Sequence, residues 1–201
     1  MQNNNWEVQK KYQSKNPILR FVLSKFNRDI IRLVSFAEPK TILDIGCGEG
    51  FITYNLGEKI TSRILAIDIE EKAIKYANIY HKRKNIDYQV GDLFKLKYEN
   101  KSFDLVMCIE VLEHLEEFER AMDIMVNLSN KYVLLSVPNE PWFRIANVLR
   151  LKYLNRLGNT PGHVNNWTKR DFKKLCSKYG KIVKFKTSTF WNIALIDVSK
   201  T

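Results

Sequence analysis

The sequence predicts an α/β fold built on a doubly wound, seven-stranded sheet, mostly parallel, with an antiparallel hairpin at its C-terminal edge. Three observations carry this expectation. From residue 41 onward, short apolar runs alternate with segments of helical period, the pattern of a parallel sheet covered on both faces. The first run, Thr41-Ile42-Leu43-Asp44-Ile45, ends in a cluster of glycines, which punctuates a strand-to-helix turn. The last two runs, 181–186 and 191–198, are separated by a short break that suits a hairpin rather than another crossover.

The elements follow in order. Residues 17–36 place Ile18, Phe21, Val22, Phe26, Ile30, Leu33 and Val34 at helical spacing behind Pro17, so a leading amphipathic helix is expected. The strand at 41–45 and a helix from about 50 to 58 make the first βα unit. The alternation continues with strand 63–67, helix 70–81, strands 86–90 and 103–109, helix 116–128 and strand 132–137. Thr168 is the expected N-cap of a last helix at 169–179, with Asp171 in its first turn. Residues 138–167 are longer than an ordinary connection and read as a lid-like insertion. Trp142, Ile145, Ala146, Leu149, Tyr153 and Leu157 form its apolar stripe, and Arg144, Arg150, Lys152 and Arg156 surround it. Such a helix suits a membrane surface, a lipid-like ligand or phosphates, or else packs on the domain as a plain lid.

At 201 residues the chain fits one domain, 1–201, and is long enough for one substantial core. No run approaches the roughly 18 uncharged apolar residues of a membrane span, so an integral membrane protein is excluded. The polar start lacks a secretory leader, and Cys47, Cys108 and Cys176 form no CxxC pair, so a cytoplasmic protein without disulfides is expected. The net charge of +11 is uneven: +5 over 1–40, −5 over 41–140 and +11 over 141–201. Basic ends around an acidic middle favour an anionic partner such as RNA, a phospholipid surface or a phosphorylated metabolite, or form a solvated lysine-rich surface.

In an open α/β sheet the ligand sits beyond the carboxyl ends of the strands, where the strand order reverses. Asp44, Asp68 and Asp92 lie at or beside the ends of the first three strands. The loop Gly46-Cys47-Gly48-Glu49-Gly50 allows a tight turn and close approach of a ligand. Asp68 follows Asp44 by 24 residues, close to the separation at which an acid meets ribose hydroxyls. The glycine spacing is GxGxG rather than GxGxxG, and Glu49 at the helix start would repel a pyrophosphate. S-adenosylmethionine (SAM), with a sulfonium, an ammonium and no phosphate, suits this loop better than a dinucleotide.

The segment 42–50 resembles the first motif of class I SAM-dependent methyltransferases almost letter for letter. Ala66-Ile67-Asp68-Ile69 is similar to their ribose-binding segment and Gly91-Asp92-Leu93 to the one whose acid meets the adenine amino group. Phe103-Asp104-Leu105-Val106 through Leu112-Glu113-His114-Leu115 resembles their fourth-strand motif. The likeness extends over residues 40–137 and implies a Rossmann-like fold, SAM as cofactor, and methyl transfer. By resemblance, the cofactor residues are Asp44, Gly46, Cys47, Gly48, Gly50, Asp68, Ile69, Asp92, Leu93, Ile109 and Glu110. Taken singly, an Asp at a strand end also caps a helix or turn.

Methyl transfer from SAM is an in-line displacement, so the enzyme chiefly positions the acceptor and excludes water, whereas a hydroxyl acceptor must also lose a proton. Glu110, Glu113 and His114 lie just past the fourth strand and, if that turn is helical, share one face. His163 arrives from across the cleft, with Asn166 and Trp167 beside it. His114, Glu113 and His163 are the catalytic candidates, and the three together with Glu110 can hold a divalent ion, Mg²⁺, Mn²⁺ or Zn²⁺. This ExxEH pattern with a later His resembles the small-RNA 2′-O-methyltransferases and the catechol methyltransferases of quinone biosynthesis. An LEHL segment also occurs in relatives without metal, where it lines the pocket. His81 is expected at a solvated helix end. The acceptor classes are therefore a small-molecule, lipid-like or RNA hydroxyl. The alternatives are metal-independent N- or C-methylation of a small metabolite, and a noncatalytic SAM- or RNA-binding module.

Overall fold

The computed structural model describes residues 14–142, 144–145 and 162–200. Twelve main elements run along them: α1 Pro17–Ala37, β1 Thr41–Ile45, α2 Phe51–Lys59, β2 Arg63–Asp68, α3 Glu71–Tyr80, β3 Ile86–Val90, β4 Phe103–Ile109, α4 Phe118–Leu128, β5 Ser129–Pro138, α5 Lys169–Tyr179, β6 Lys181–Ser188 and β7 Trp191–Asp197. The seven strands form one sheet in the order β3-β2-β1-β4-β5-β7-β6. Five are parallel, and β7 enters antiparallel between β5 and β6. The order reverses between β1 and β4, which creates the crevice at their carboxyl ends.

The period-2 alternation of the strands divides the core into two layers. Ile42, Leu105, Met107, Leu134, Ile193 and Leu195 face the side covered by α1, α2 and α3. Leu43, Val106, Cys108, Val133, Leu135 and Ile196 face α4 and α5. Burial on both faces explains why β1, β4 and β5 read as continuous apolar runs rather than alternating ones.

Helix α1 begins where Asn16 caps the amides of Ile18 and Leu19, at 2.9 and 3.2 Å, with Pro17 in the first turn. It buries Val22, Leu23, Phe26, Ile30, Leu33 and Val34, but Ile18 and Phe21 are exposed, contrary to the stripe expected from their spacing. In that stretch Leu19 instead is the residue that packs on the core. Buried Asp29 fastens this helix to β6 through Lys186 at 2.7 Å and is held from within the helix by Lys25 at 3.1 Å. Burial works against its charge, but hydrogen bonds from Lys186, Ser188 and Lys25 prevail and hold the carboxyl below its ordinary range.

His81 departs from expectation. It is buried at the end of α3, where its Nδ1–H donates to the Glu49 carbonyl and its ring lies 4.5 Å from Phe51 and 5.1 Å from Tyr54. The histidine thus braces the start of α2 from below. Of the apolar stripe expected in the insertion, Trp142 and Ile145 are exposed, whereas Ala146, Leu149, Tyr153 and Leu157, with Arg150, Lys152 and Arg156, lie outside the described residues. No helix among the described residues is long and apolar enough to cross a membrane.

Candidate active site

The chemistry-bearing residues gather at the carboxyl ends of β1 to β5, in the crevice that the strand reversal opens. Positive φ at Gly46, Gly48 and Gly50 (73°, 53° and 80°) folds the loop after β1 back on itself. At Gly50 glycine is needed twice over, since a Cβ would also lie 2.8 Å from the Tyr88 ring and hydroxyl. At Gly46 a Cβ would collide with Val111, so the loop after β1 packs directly on the turn after β4.

Asp68, ending β2, clamps this loop: Oδ2 accepts the Gly48 amide at 2.7 Å and Oδ1 the Glu70 amide at 2.9 Å. Ile69 is exposed beside it. Asp92 follows β3 and caps the short turn Leu93–Lys95 through the Phe94 amide at 2.9 Å, while Lys95 sits 3.0 Å from its other oxygen. The Lys95 contact, more than the amide, lowers its proton affinity. Asp92 is therefore a turn cap as well as a cofactor candidate, and its neighbour Leu93 is buried.

Asp44 is buried at the base of the loop and receives the Thr53 hydroxyl at 2.5 Å. Burial is the largest influence and, aided by the charge of Asp68, outweighs the Thr53 hydrogen bond, pushing the carboxyl up to about 7. Because the folded state holds its proton more tightly than the unfolded chain, Asp44 contributes stability that is complete below about pH 4 and lost as pH rises through 7. Asp44→Asn, which keeps an acceptor for Thr53 without the charge, is expected to gain stability relative to the parent between pH 5 and 8, by up to about 4 kcal/mol. Denaturant unfolding of both proteins across this range checks it.

Past β4 the turn is not an α-helix. Only Leu112–His114 form a single 3₁₀ turn, and Glu110 stands before it in left-handed backbone, φ 60°. Glu113, His114 and His163 come together with ligand-type atoms within 4.8 Å of one another, the one such trio among the described residues. Glu110 is not among them. Its carboxylate accepts the Ser136 hydroxyl at 3.1 Å and the Trp191 indole N–H, because the left-handed residue breaks the helical repeat that would have aligned it with Glu113. The four-residue metal set expected from spacing is thus three residues in this structure.

His163 is held in place by its successors. The amides of Val164 and Asn165 donate to the Glu113 carbonyl at 2.9 and 3.1 Å, and the Asn165 side chain donates to Leu112 O at 3.3 Å and Leu115 O at 2.6 Å. His114 Nδ1–H donates to Gly162 O at 3.0 Å, and the two imidazoles meet edge to face at 4.8 Å. Trp167 packs edge-on against Phe118 at 5.4 Å, and Asn166 is exposed. Asn165→Ala is expected to cost about 1–2 kcal/mol by stranding two carbonyls, measurable by denaturant unfolding.

One carboxylate and two imidazoles fit a divalent transition ion, whose ligands at about 2.0–2.2 Å lie roughly 3–4 Å apart. The same donors fit Mg²⁺ less well, since that ion favours an all-oxygen shell. Sequence reasoning missed Thr53, Ser136, Asn165 and Trp191. Thr53 was within reach, falling one turn inside the helix that follows the loop; Trp191 and Ser136 carried no motif.

Residues 43–131 match the family described as a methyltransferase domain. A ubiquinone biosynthesis O-methyltransferase from Bartonella tribocorum is 30% identical over 109 residues, 53% of this chain and 42% of that protein. The protein of the same description from Rickettsia canadensis is 29% identical over 163 residues, 77% of this chain and 64% of its own. The chain therefore spans less than two thirds of either relative's length. Among solved structures, the magnesium protoporphyrin IX methyltransferase from Synechocystis, with bound SAH, superposes with a TM-score of 0.71 at 17% identity, covering 96% of this chain and 92% of that one.

Proposed function

We propose, from the match of residues 43–131 to the methyltransferase-domain family and the Rossmann-like fold, that the chain is a class I SAM-dependent methyltransferase that transfers a methyl group from SAM to a hydroxyl of a small-molecule, lipid-like or RNA acceptor. The observation that carries the acceptor chemistry is the meeting of Glu113, His114 and His163 on the side of the glycine loop toward β5. The methyl acceptor would stand between this trio and the sulfonium. O-methylation is also what the names of the Bartonella and Rickettsia relatives state of those proteins.

In this reading the loop 46–50 admits the cofactor chain, Asp68 takes the ribose hydroxyls and Asp92 the adenine amino group, with Ile69 and Leu93 bordering the base. Asp44 and Cys47 shape the loop from beneath. Cys47 is not a nucleophile there: burial raises its thiol well above its ordinary range. Glu113, His114 and His163 would hold a divalent ion, Mn²⁺ or Zn²⁺ in preference to Mg²⁺. When bound, such an ion supplies Lewis acidity that lowers the pKa of an acceptor hydroxyl. His114 Nε2 and the Glu113 carboxylate keep their orientation through Gly162 and through the amides that grip the turn, and Trp167 helps exclude water. The basic C-terminal region, net +11 over 141–201, would draw an anionic acceptor or surface toward the mouth.

Transfer of labelled methyl from SAM into a cell extract, with and without EDTA, tests this reading after separation into RNA, organic-soluble and polar fractions. Incorporation abolished by EDTA and restored by Mn²⁺ or Zn²⁺ is expected. EDTA-insensitive label would make the trio a metal-free pocket wall, and absence of any transfer would favour a binding module.

A further inference from the structure

The sheet ends at β6, and the surface around that edge is basic in a way that its own stability does not explain. Between residues 169 and 188, which span α5 and β6, stand eight lysines and arginines and one acid, Asp171. The acids within reach are already engaged. Asp29 takes Lys186 at 2.7 Å, Glu119 lies 3.7 Å from Lys178, and Asp171 accepts its own cap, the Thr168 hydroxyl, at 2.6 Å. Lys169, Arg170, Lys173 and Lys174 of α5, Lys184 of β6 and Arg32 of α1 are exposed and make no ion pair with a described acid.

These six cations are crowded rather than spread. Lys169 with Lys173, and Arg170 with Lys174, are like charges at i,i+4, a spacing at which they repel and weaken a helix. The equivalent spacing in α3 sets Glu71 against Lys75. Lys169 and Lys173 also share one ring, their ammoniums 5.8 and 4.6 Å from the centre of Phe185 on β6. Across the strand, Lys184 lies 4.4 Å from the ring centre of Phe36 on α1. Arg32 stands three residues after Asp29, which meets β6, and four before Phe36, so it belongs to the same helical stripe along that strand. Uncompensated charge of one sign works against the compact state and draws a polyanion.

The cations flank the edge strand on both faces of the sheet, toward α5 and toward α1. A ligand that meets both sets has to bend around β6. A bilayer is flat on this scale and a duplex is stiff, with a persistence length of about 50 nm. A single polynucleotide strand is flexible and carries a charge at every residue. We propose that the β6 edge is a docking surface for a single-stranded polynucleotide, gripped by its phosphates from both sides of the strand without regard to base sequence. The surface is separate from the candidate active site, and the proposal requires neither cofactor nor metal, nor that the bound strand be the methyl acceptor.

The test is fluorescence anisotropy of end-labelled oligouridylate and oligothymidylate, each about 15 nucleotides long, titrated with the full chain between about 50 and 200 mM salt. The two strands are expected to bind alike, with affinity falling about 50-fold over that range, as about four phosphate contacts require. Lys173→Gln with Lys174→Gln on α5, and Arg32→Gln with Lys184→Gln across the edge, are each expected to weaken binding about tenfold near 0.15 M salt and to flatten the logarithmic salt slope by about 1.4. Lys82→Gln with Lys84→Gln removes the same charge from exposed residues just before β3, at the opposite edge of the sheet, and is expected to change neither quantity. Denaturant unfolding of each variant is expected to match the parent, and the single substitutions Lys174→Gln and Arg32→Gln carry the test should a pair unfold. No binding by the unaltered chain, or binding that neither edge pair alters, would overturn the proposal. So would equal weakening by all three pairs, which reduces the effect to net charge, or tighter binding of a duplex of the same length or of phosphatidylglycerol vesicles. The assay contains no SAM, so its failure leaves the methyltransferase reading standing, and failure of that reading leaves this one untouched.

Discussion

Asp68→Ala is expected to weaken cofactor binding by two to four orders of magnitude. The side chain does two things that alanine cannot. It would accept the ribose hydroxyls, and it already holds the loop and the start of the α3 segment through the Gly48 and Glu70 amides, at 2.7 and 2.9 Å. Hydrogen bonds to a charged partner contribute about 1.5–3 kcal/mol each, and losing two corresponds to roughly 10²–10⁴-fold. Asp68→Asn, which retains one acceptor oxygen but no charge, should fall between the two. Titration with S-adenosylhomocysteine reads all three proteins, and an unchanged Kd in the alanine variant would place the ribose elsewhere.

Glu113→Gln and His163→Ala are expected to lower methyl transfer by about 10³-fold while leaving cofactor affinity within about twofold. General acid–base assistance contributes roughly 10²–10⁴-fold, and a metal that lowers a hydroxyl pKa contributes comparably. Glu113 lies in the turn after β4, with His163 beside it, away from Asp68 and Asp92 in the row of strand ends. Glu113 is fully buried and its carbonyl anchors the 164–165 segment, so the glutamine variant, which preserves shape, is the fair test of its carboxylate. Single-turnover rates at saturating SAM, with stability checked in parallel, separate chemistry from folding. Full activity in both variants would reduce the trio to a lining of the pocket.

Much of the fold was legible because the strands that matter are buried on both faces. Runs such as 103–109 and 41–45 contain few polar residues to blur their ends, and both match the strands observed. Thr168 capping Asp171 at 3.2 Å was legible for the opposite reason, since a cap is a local contact between residues three apart. Exposure was harder to read. Ile18 and Phe21 have helical spacing, yet are exposed while Leu19 between them packs on the core, and His81 looked solvated only because the rings that enclose it come from α2 and α3 together.

From the sequence alone came the glycine loop, the three acids at successive strand ends and the pairing of an ExxEH segment with a distant histidine. Each is a local motif or an order along the chain, and a parallel sheet converts chain order into position along one crevice. Which carboxylate joins which site was a tertiary matter. Spacing placed Glu110 with Glu113 and His114, but that inference required a continuous helix. One left-handed residue and two donors from β5 and β7, 26 and 81 positions away, hold the Glu110 carboxylate apart from that trio instead. Contacts at such separation leave no trace in local pattern, because they depend on how the C-terminal strands return beside β5 and not on any property of the segment itself.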